Sequence, residues 1–199
     1  MAKVRFHIQT GSLKNLNLMW NNEQGTRPTK SILKESFFNT MRGEIIDCVF
    51  VEAFGGCGSM GIEALSLGAR EAVFYEINTK ACHILRHNLT SAQNAAQKIG
   101  KKLKFSLYNA DFFAQNFQDW LHLQKVIVYL DPPFCIREGM SDIYERLFAW
   151  VGNLESCGVC FIVFEHLSGY EMPKHLGVYM QFKQRCFGKS TLTYYISKD

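Results

Sequence analysis

The chain has 199 residues, 47% of them hydrophobic and 20% charged, with a formal net charge of +4. That composition suits a globular protein with one substantial core and leaves little room for a second full domain. No apolar run approaches the roughly 18 residues of a membrane span, and Met1-Ala2-Lys3-Val4-Arg5 does not lead into the apolar stretch of a secretion signal, so a cytoplasmic location is expected.

The chain is read as a single domain over 1–199 with no linker, repeat or low-complexity tract. Its first part holds two extended stretches, Val4–Ile8 and Leu13–Leu18, around Gly11-Ser12, which reads as a hairpin. After Arg27-Pro28, the segment Thr29–Met41 sets Leu33, Phe37 and Met41 on one face and reads as an amphipathic helix.

From Cys48 onward, strands alternate with helices. The expected order is strand Cys48–Ala53, helix Met60–Leu67, strand Ala72–Glu76, helix Thr79–Ile99, strand Leu103–Leu107, a short helix after Asp111, and strand Val126–Leu130. Their hydrophobicity reads as continuous rather than alternating, the pattern of strands covered on both faces in a parallel, doubly wound α/β sheet. A helix around Tyr144, Leu147, Phe148 and Val151 follows, then strand Val159–Phe164. Two late strands, Val178–Phe187 and Ser190–Ile196, turn on Gly188-Lys189 and should lie antiparallel.

The seven cysteines are odd in number and sit mostly in apolar runs. They read as small hydrophobes in a reducing compartment, and Cys157-Gly-Val-Cys160, without a second such pair, does not make a metal site. His83 and His87 share a helix face but lack the glutamate of a metalloprotease pair, so no metal is expected.

The first strand runs through Phe54-Gly55-Gly56-Cys57-Gly58-Ser59-Met60-Gly61 into a helix. Gly56, Gly58 and Gly61 fit a Gly-x-Gly-x-x-Gly turn that allows close backbone approach to a ligand. Glu76 ends the next strand, 20 residues past Gly56, where an acid can grip ribose hydroxyls. Glu52 precedes the turn, where it could face the charged amino acid portion of a ligand or be a satisfied strand-end acid. Asp111-Phe112 follows the third strand, with Asp111 either an adenine contact or a helix cap.

The fourth strand ends in Asp131-Pro132-Pro133-Phe134. Each proline lacks an N–H and fixes its own φ, so the corner offers acceptors and few donors. A flat base with an exocyclic amine needs acceptors for two hydrogens and a ring to stack on, which Asp131, the Pro132 carbonyl and Phe134 can supply. Hydride transfer has no use for such a corner. A nicotinamide dehydrogenase therefore fits less well than an S-adenosyl-L-methionine site beside an amine-presenting pocket.

The chain resembles the bacterial 16S ribosomal RNA (guanine-N2)-methyltransferases along nearly its whole length. The likeness lies in Arg27-Pro28-Thr29, Lys34-Glu35-Ser36-Phe37-Phe38-Asn39, the run from Glu52 to Ser66, Phe74-Tyr75-Glu76, Asn88-Leu89, Asp111, Asp131–Phe134 and Phe187–Thr191. It implies a seven-stranded, mostly parallel sheet with an antiparallel last hairpin, a hairpin extension over 1–20 and a catalytic core over 27–199. It also implies S-adenosyl-L-methionine held by Glu52, Phe54, Gly55, Gly56, Gly58, Gly61, Glu76, Ile77, Asp111, Phe112 and Asp131, with catalysis at Asp131, Pro132, Pro133 and Phe134. The expected partner is 16S ribosomal RNA or the small ribosomal subunit, met by a monomer. RNA phosphates would be held by Arg5, Lys14, Arg27, Lys30 and Lys189, with Lys3, Lys183 and Arg185 as further cations.

The chain departs from that family in four ways. Glu52 stands where Asp is usual, Cys57 where Ser is usual, Asn78 where an Asp often follows the ribose-binding acid, and the hairpin run Gly11–Asn17 keeps only Lys14 as a basic residue. The same corner would serve an adenine-N6 methyltransferase, and a non-catalytic RNA-binding or assembly factor on this fold is the reading without an enzyme.

Overall fold

The computed structural model describes residues 6–20, 31–114, 118–121, 123–133, 142–154 and 158–198. The chain groups into two compact units, Met1–Asn116 and Phe117–Asp199.

The first unit opens with β1 (Phe6–His7), paired antiparallel with β2 (Asn17–Leu18). A 3-10 turn over Gly11–Leu13 stands between them. The hairpin expected from sequence is thus shorter than Leu13–Leu18 suggested. Leu13 leaves the strand because it is buried with Phe6, Ile8 and Leu18 against Ile62, Leu65, Leu85 and Leu89. Burying that side chain is worth about 2 kcal/mol, more than one strand hydrogen bond.

Helices α1 (Ser31–Thr40) and α2 (Arg42–Ile45) follow, α1 burying Leu33, Phe37 and Phe38. Then come β3 (Val49–Glu52), α3 (Ser59–Leu67), β4 (Glu71–Tyr75), α4 (Thr79–Lys98) and β5 (Phe105–Tyr108). The three strands are parallel in the order β5-β4-β3, with Val51 beside Val73 and Phe74 beside Leu107. Helix α3 is buried along all but its last residue, since the N-terminal segment covers the side that would otherwise face solvent. Helix α4 is amphipathic, with Ala81, Leu85, Leu89, Ala92 and Ala96 inward, and Asn78 caps it by accepting from the Ala81 N–H at 3.0 Å.

The second unit holds α5 (Gln118–Leu121), β6 (Val126–Leu130), α6 (Ile143–Gly152), β7 (Val159–Leu167), β8 (His175–Leu176), β9 (Tyr179–Phe187) and β10 (Ser190–Ser197). Its strand order is β6-β7-β10-β9-β8. Strand β6 runs parallel to β7, whereas β10 is antiparallel to both β7 and β9, and β9 to β8. The expected final hairpin is present, turning at Gly188 with φ +66°. The two-residue edge strand β8 was not expected, and it takes the strands of the two sheet portions from seven to eight.

Candidate active site

The acid at the end of β3 does not face outward. Glu52 is 5% exposed, and its Oε2 accepts from the Gly61 N–H at 2.8 Å. Burial pushes its carboxyl up to about 8, opposed by the Gly61 and Met60 amides and the Lys34 charge. The side chain bolts the first turn of α3 to the end of β3. This matches the satisfied strand-end acid, one of the two readings open from sequence.

The turn that Glu52 supports needs its glycines for different reasons. Gly58 has φ +79°, and a Cβ there would lie 2.1 Å from Leu85 Cδ1. A Cβ on Gly61 would lie 2.3 Å from Phe74 Cε1, because α3 packs directly on β4. Gly56 has φ +51°, yet beyond its chain neighbours no described residue has an atom within 4 Å of where its Cβ would be. The turn is therefore closed behind and open at Gly56.

Glu76 shapes that open side. Its Oε2 accepts from the Gly56 N–H at 2.8 Å and its Oε1 from the Asn78 N–H at 2.7 Å. Asn109 donates through Nδ2 to the Glu76 carbonyl at 2.7 Å, fixing the strand end on which the acid sits. Next to it, Ile77 is 57% exposed, an apolar surface beside that acid. The backbone at Gly55 is set by its N–H donating to the Tyr75 carbonyl at 2.7 Å.

Asp111 ends the loop after β5, and its Oδ1 accepts from the Phe113 N–H at 3.1 Å. It caps the 3-10 turn Phe112–Ala114, the second reading available from sequence. Phe112 is 2% exposed, edge-on to Tyr75 with ring centres 5.3 Å apart and 6.3 Å from the Phe54 ring. Its ring is a wall behind the loop rather than a free face.

In the second unit, Asp131, Pro132 and Pro133 follow β6, with Pro132 buried and Asp131 half-buried. Burial above all, with the Asp131, Tyr170 and Glu165 charges beside it, holds the hydroxyl of Tyr144 on α6 above the usual phenol range. That hydroxyl is buried and makes no hydrogen bond among the described residues. The Tyr144 ring stacks on Tyr170 at 4.4 Å, and Glu165 is held by the Tyr129 hydroxyl at 2.7 Å. Phe134 lies outside the described residues, as do Lys3, Arg5, Arg27 and Lys30. Lys14, Arg185 and Lys189 are exposed, whereas Lys183 lies over the Tyr194 ring at 6.0 Å.

Sequence reasoning missed two polar side chains buried beside the turn. Asn88 on α4 is 1% exposed; its Nδ2 donates to the Cys57 carbonyl at 2.9 Å and the Met19 carbonyl at 2.8 Å. Its Oδ1 accepts from the Met19 N–H at 2.8 Å. Glu63 on α3 is fully buried and accepts from the Gln9 and Thr10 N–H groups. The signal for Glu63 was an acid inside the apolar stretch Ile62-Glu63-Ala64; Asn88 gave none beyond its place in a quoted motif.

The fold has counterparts among solved structures. One described as "Putative methyltransferase yhhF from Escherichia coli" matches with a TM-score of 0.72 and 23% identity, over 97% of this chain and 98% of that one. The protein thus has the α/β fold of class I methyltransferases, mostly parallel with an antiparallel final hairpin and a small N-terminal hairpin. Residues 6–196 match the family model Cons_hypoth95, "Conserved hypothetical protein 95", and the chain belongs to that family.

Two relatives sharpen the placement. "Ribosomal RNA small subunit methyltransferase D" of Haemophilus influenzae is 32% identical over 133 residues, 67% of this chain and 66% of that protein. "Putative rRNA methyltransferase YlbH" of Bacillus subtilis is 28% identical over 190 residues, 94% of this chain and 97% of that one.

Proposed function

We propose that this protein is an S-adenosyl-L-methionine-dependent enzyme that methylates the exocyclic 2-amino group of a guanine in 16S ribosomal RNA. The observation that carries the cofactor reading is Glu76, whose two oxygens hold Gly56 and Asn78 while the turn stays open at Gly56. The substrate reading draws on the relatives, both named for ribosomal RNA, and on the acceptor corner Asp131–Phe134.

The residues present fit this cofactor. Glu76 would take the ribose hydroxyls, Ile77 would lie along the adenine, and the Gly55–Gly58 backbone, open at Gly56, would lie under the amino acid portion. Phe54, Asp111 and Phe112 would close the loop around it, with Gly61 and Glu52 holding the turn from behind. Asp131 would border the methyl. When bound, S-adenosyl-L-methionine supplies an electrophilic methyl: the N–C bond forms as the C–S bond breaks, and sulfur keeps that electron pair.

The protein's own part is mainly positioning, which can contribute roughly 7–11 kcal/mol. Asp131 and the Pro132 carbonyl accept the two amine hydrogens and aim the nitrogen lone pair, and Phe134 stacks on the base. Asp131 then takes the surplus proton or passes it to water. Pro133 keeps the corner free of a competing N–H donor. Arg5, Lys14, Arg27, Lys30 and Lys189 would hold RNA phosphates. The partner is naked 16S RNA or the small subunit, met by a monomer in the cytoplasm.

The test is methyl transfer by purified protein to 16S RNA from cells lacking it, followed by nucleoside mapping. N2-methylguanosine that disappears with Asp131→Ala supports the reading. N6-methyladenosine would move the assignment to adenine, and cofactor binding without transfer would make the protein a binding factor.

A further inference from the structure

Helix α4 has the sequence TKACHILRHNLTSAQNAAQK, with five basic or histidine side chains and no acid in 20 residues. Lys80, His83 and His87 follow one another at i, i+3 and i+7 and share one stripe, with Arg86 at its flank. All four are exposed, and among the described residues none makes an ion pair. A solvated helix ordinarily offsets its cations with acids three or four residues away. Here the helix supplies no such offset, and Thr79, Thr90 and Asn94 on the same side offer no apolar patch to a protein partner.

Placement gives this surface a direction. Helix α4 begins just after Glu76, so Lys80 and His83 lie toward the carboxyl ends of β3 and β4, where Glu76 and the glycine turn are. Its inner edge is fixed to the N-terminal segment through the two-way bond between Asn88 and Met19. The sequence reaches Arg27 eight residues after Met19.

Resting on the ribosomal RNA reading above, we propose that Lys80, His83, Arg86 and His87 form a phosphate-binding surface for the substrate RNA, alongside the N-terminal segment. The far end of the helix offers an internal control. Lys101 and Lys102 are exposed too, but follow the helix at its other end, about 30 Å from Lys80.

The experiment compares wild type, Lys80→Gln/Arg86→Gln and Lys101→Gln/Lys102→Gln. RNA affinity is measured over a salt series with a 16S RNA fragment, together with S-adenosylhomocysteine affinity and methyl transfer. The first pair is expected to weaken RNA binding about tenfold and to lower the log–log salt slope by about 1.4 to 1.8, two phosphate contacts' worth. Its S-adenosylhomocysteine affinity should be unchanged, and the second pair should lose less than threefold. Equal effects of the two pairs, or an unchanged salt slope, would overturn the surface while wild-type transfer left the enzyme reading standing. Wild-type protein that neither binds nor methylates the RNA would overturn both.

Discussion

Lys34 Nζ lies 2.6 Å from Glu63 Oε2, with both side chains sealed from solvent at 1% and 0% exposure. The contact is an ion pair by distance, without the direction of a hydrogen bond. It ties α1 to α3, and the same carboxylate collects Gln9 N–H at 2.9 Å, Thr10 N–H at 2.6 Å and Thr10 Oγ1 at 2.7 Å. Removing the cation leaves a buried, uncompensated charge, so Lys34→Met is expected to cost about 3–5 kcal/mol in a urea titration. A loss under about 1 kcal/mol would mean that the two N–H groups and the hydroxyl carry the carboxylate unaided.

Glu52 should imprint a pH dependence on stability. Its carboxyl is raised to about 8 when folded, mainly by burial, from 4.5. Between those values the unfolded chain ionises freely while the folded chain holds its proton, so the folded state loses ground as pH rises from about 5 to about 8. Below that window the group contributes nothing to the difference. Glu52→Gln, which keeps an acceptor for the Gly61 N–H, is expected to flatten thermal midpoint against pH across this window; an unchanged profile would reject the assignment.

The three glycines of the turn should separate folding from ligand binding. Gly61→Ala pushes a methyl into Phe74 and is expected to cost about 1–3 kcal/mol. Gly58→Ala adds a left-handed φ to a clash with Leu85 and should cost at least as much. Gly56→Ala meets only the left-handed penalty, about 1 kcal/mol, and should fold while binding S-adenosylhomocysteine at least tenfold more weakly. Calorimetry on the folded Gly56 variant decides this, and unchanged affinity would move the cofactor off that face.

Asn88→Asp keeps the shape but removes both donors, leaving the Cys57 and Met19 carbonyls facing a carboxylate. Cofactor and RNA affinity are expected to fall together, each about tenfold. As a control, Ala96→Gly in the same helix costs about 1 kcal/mol without touching the turn. If the control matched Asn88→Asp in both affinities, the asparagine would be only structural.

Tyr144→Phe removes a buried hydroxyl that has no hydrogen bond among the described residues, while keeping the stack on Tyr170. Stability is expected to rise by up to about 1 kcal/mol. A drop would reveal a partner for the hydroxyl.

Much of the fold was legible because β3, β4 and β6 are buried at every position, which leaves apolar runs in the sequence bounded at Glu52 in β3 and Glu71 in β4. The glycine turn was legible for the same reason: its backbone needs are met by one residue type. Strand β7 was read as ending at Phe164, yet it runs to Leu167. Glu165 and His166 look like loop residues but are buried, satisfied by Tyr129 and by Thr193 Oγ1 at 2.8 Å. The partners of Glu63 were illegible for a like reason, since its backbone donors lie more than 50 residues away. In general, apolar burial marks the chain locally, whereas polar burial depends on partners that local pattern does not reveal. At Glu52 and Asp111, sequence offered two roles apiece, and the internal hydrogen bonds to the Gly61 and Phe113 N–H groups that fill one of them needed the folded backbone.

The bond between Met19 and Asn88 spans 69 residues. During synthesis at about 5–20 residues per second, the N-terminal segment therefore waits roughly 3–14 s for its anchor to be made. For more than half of that interval Ile8, Leu13 and Leu18 lack Ile62 and Leu65 of α3, and Leu85 and Leu89 of α4 come only at its end. Residues 6–20 are thus made well before the side chains that bury them, and they depend on shelter while translation continues.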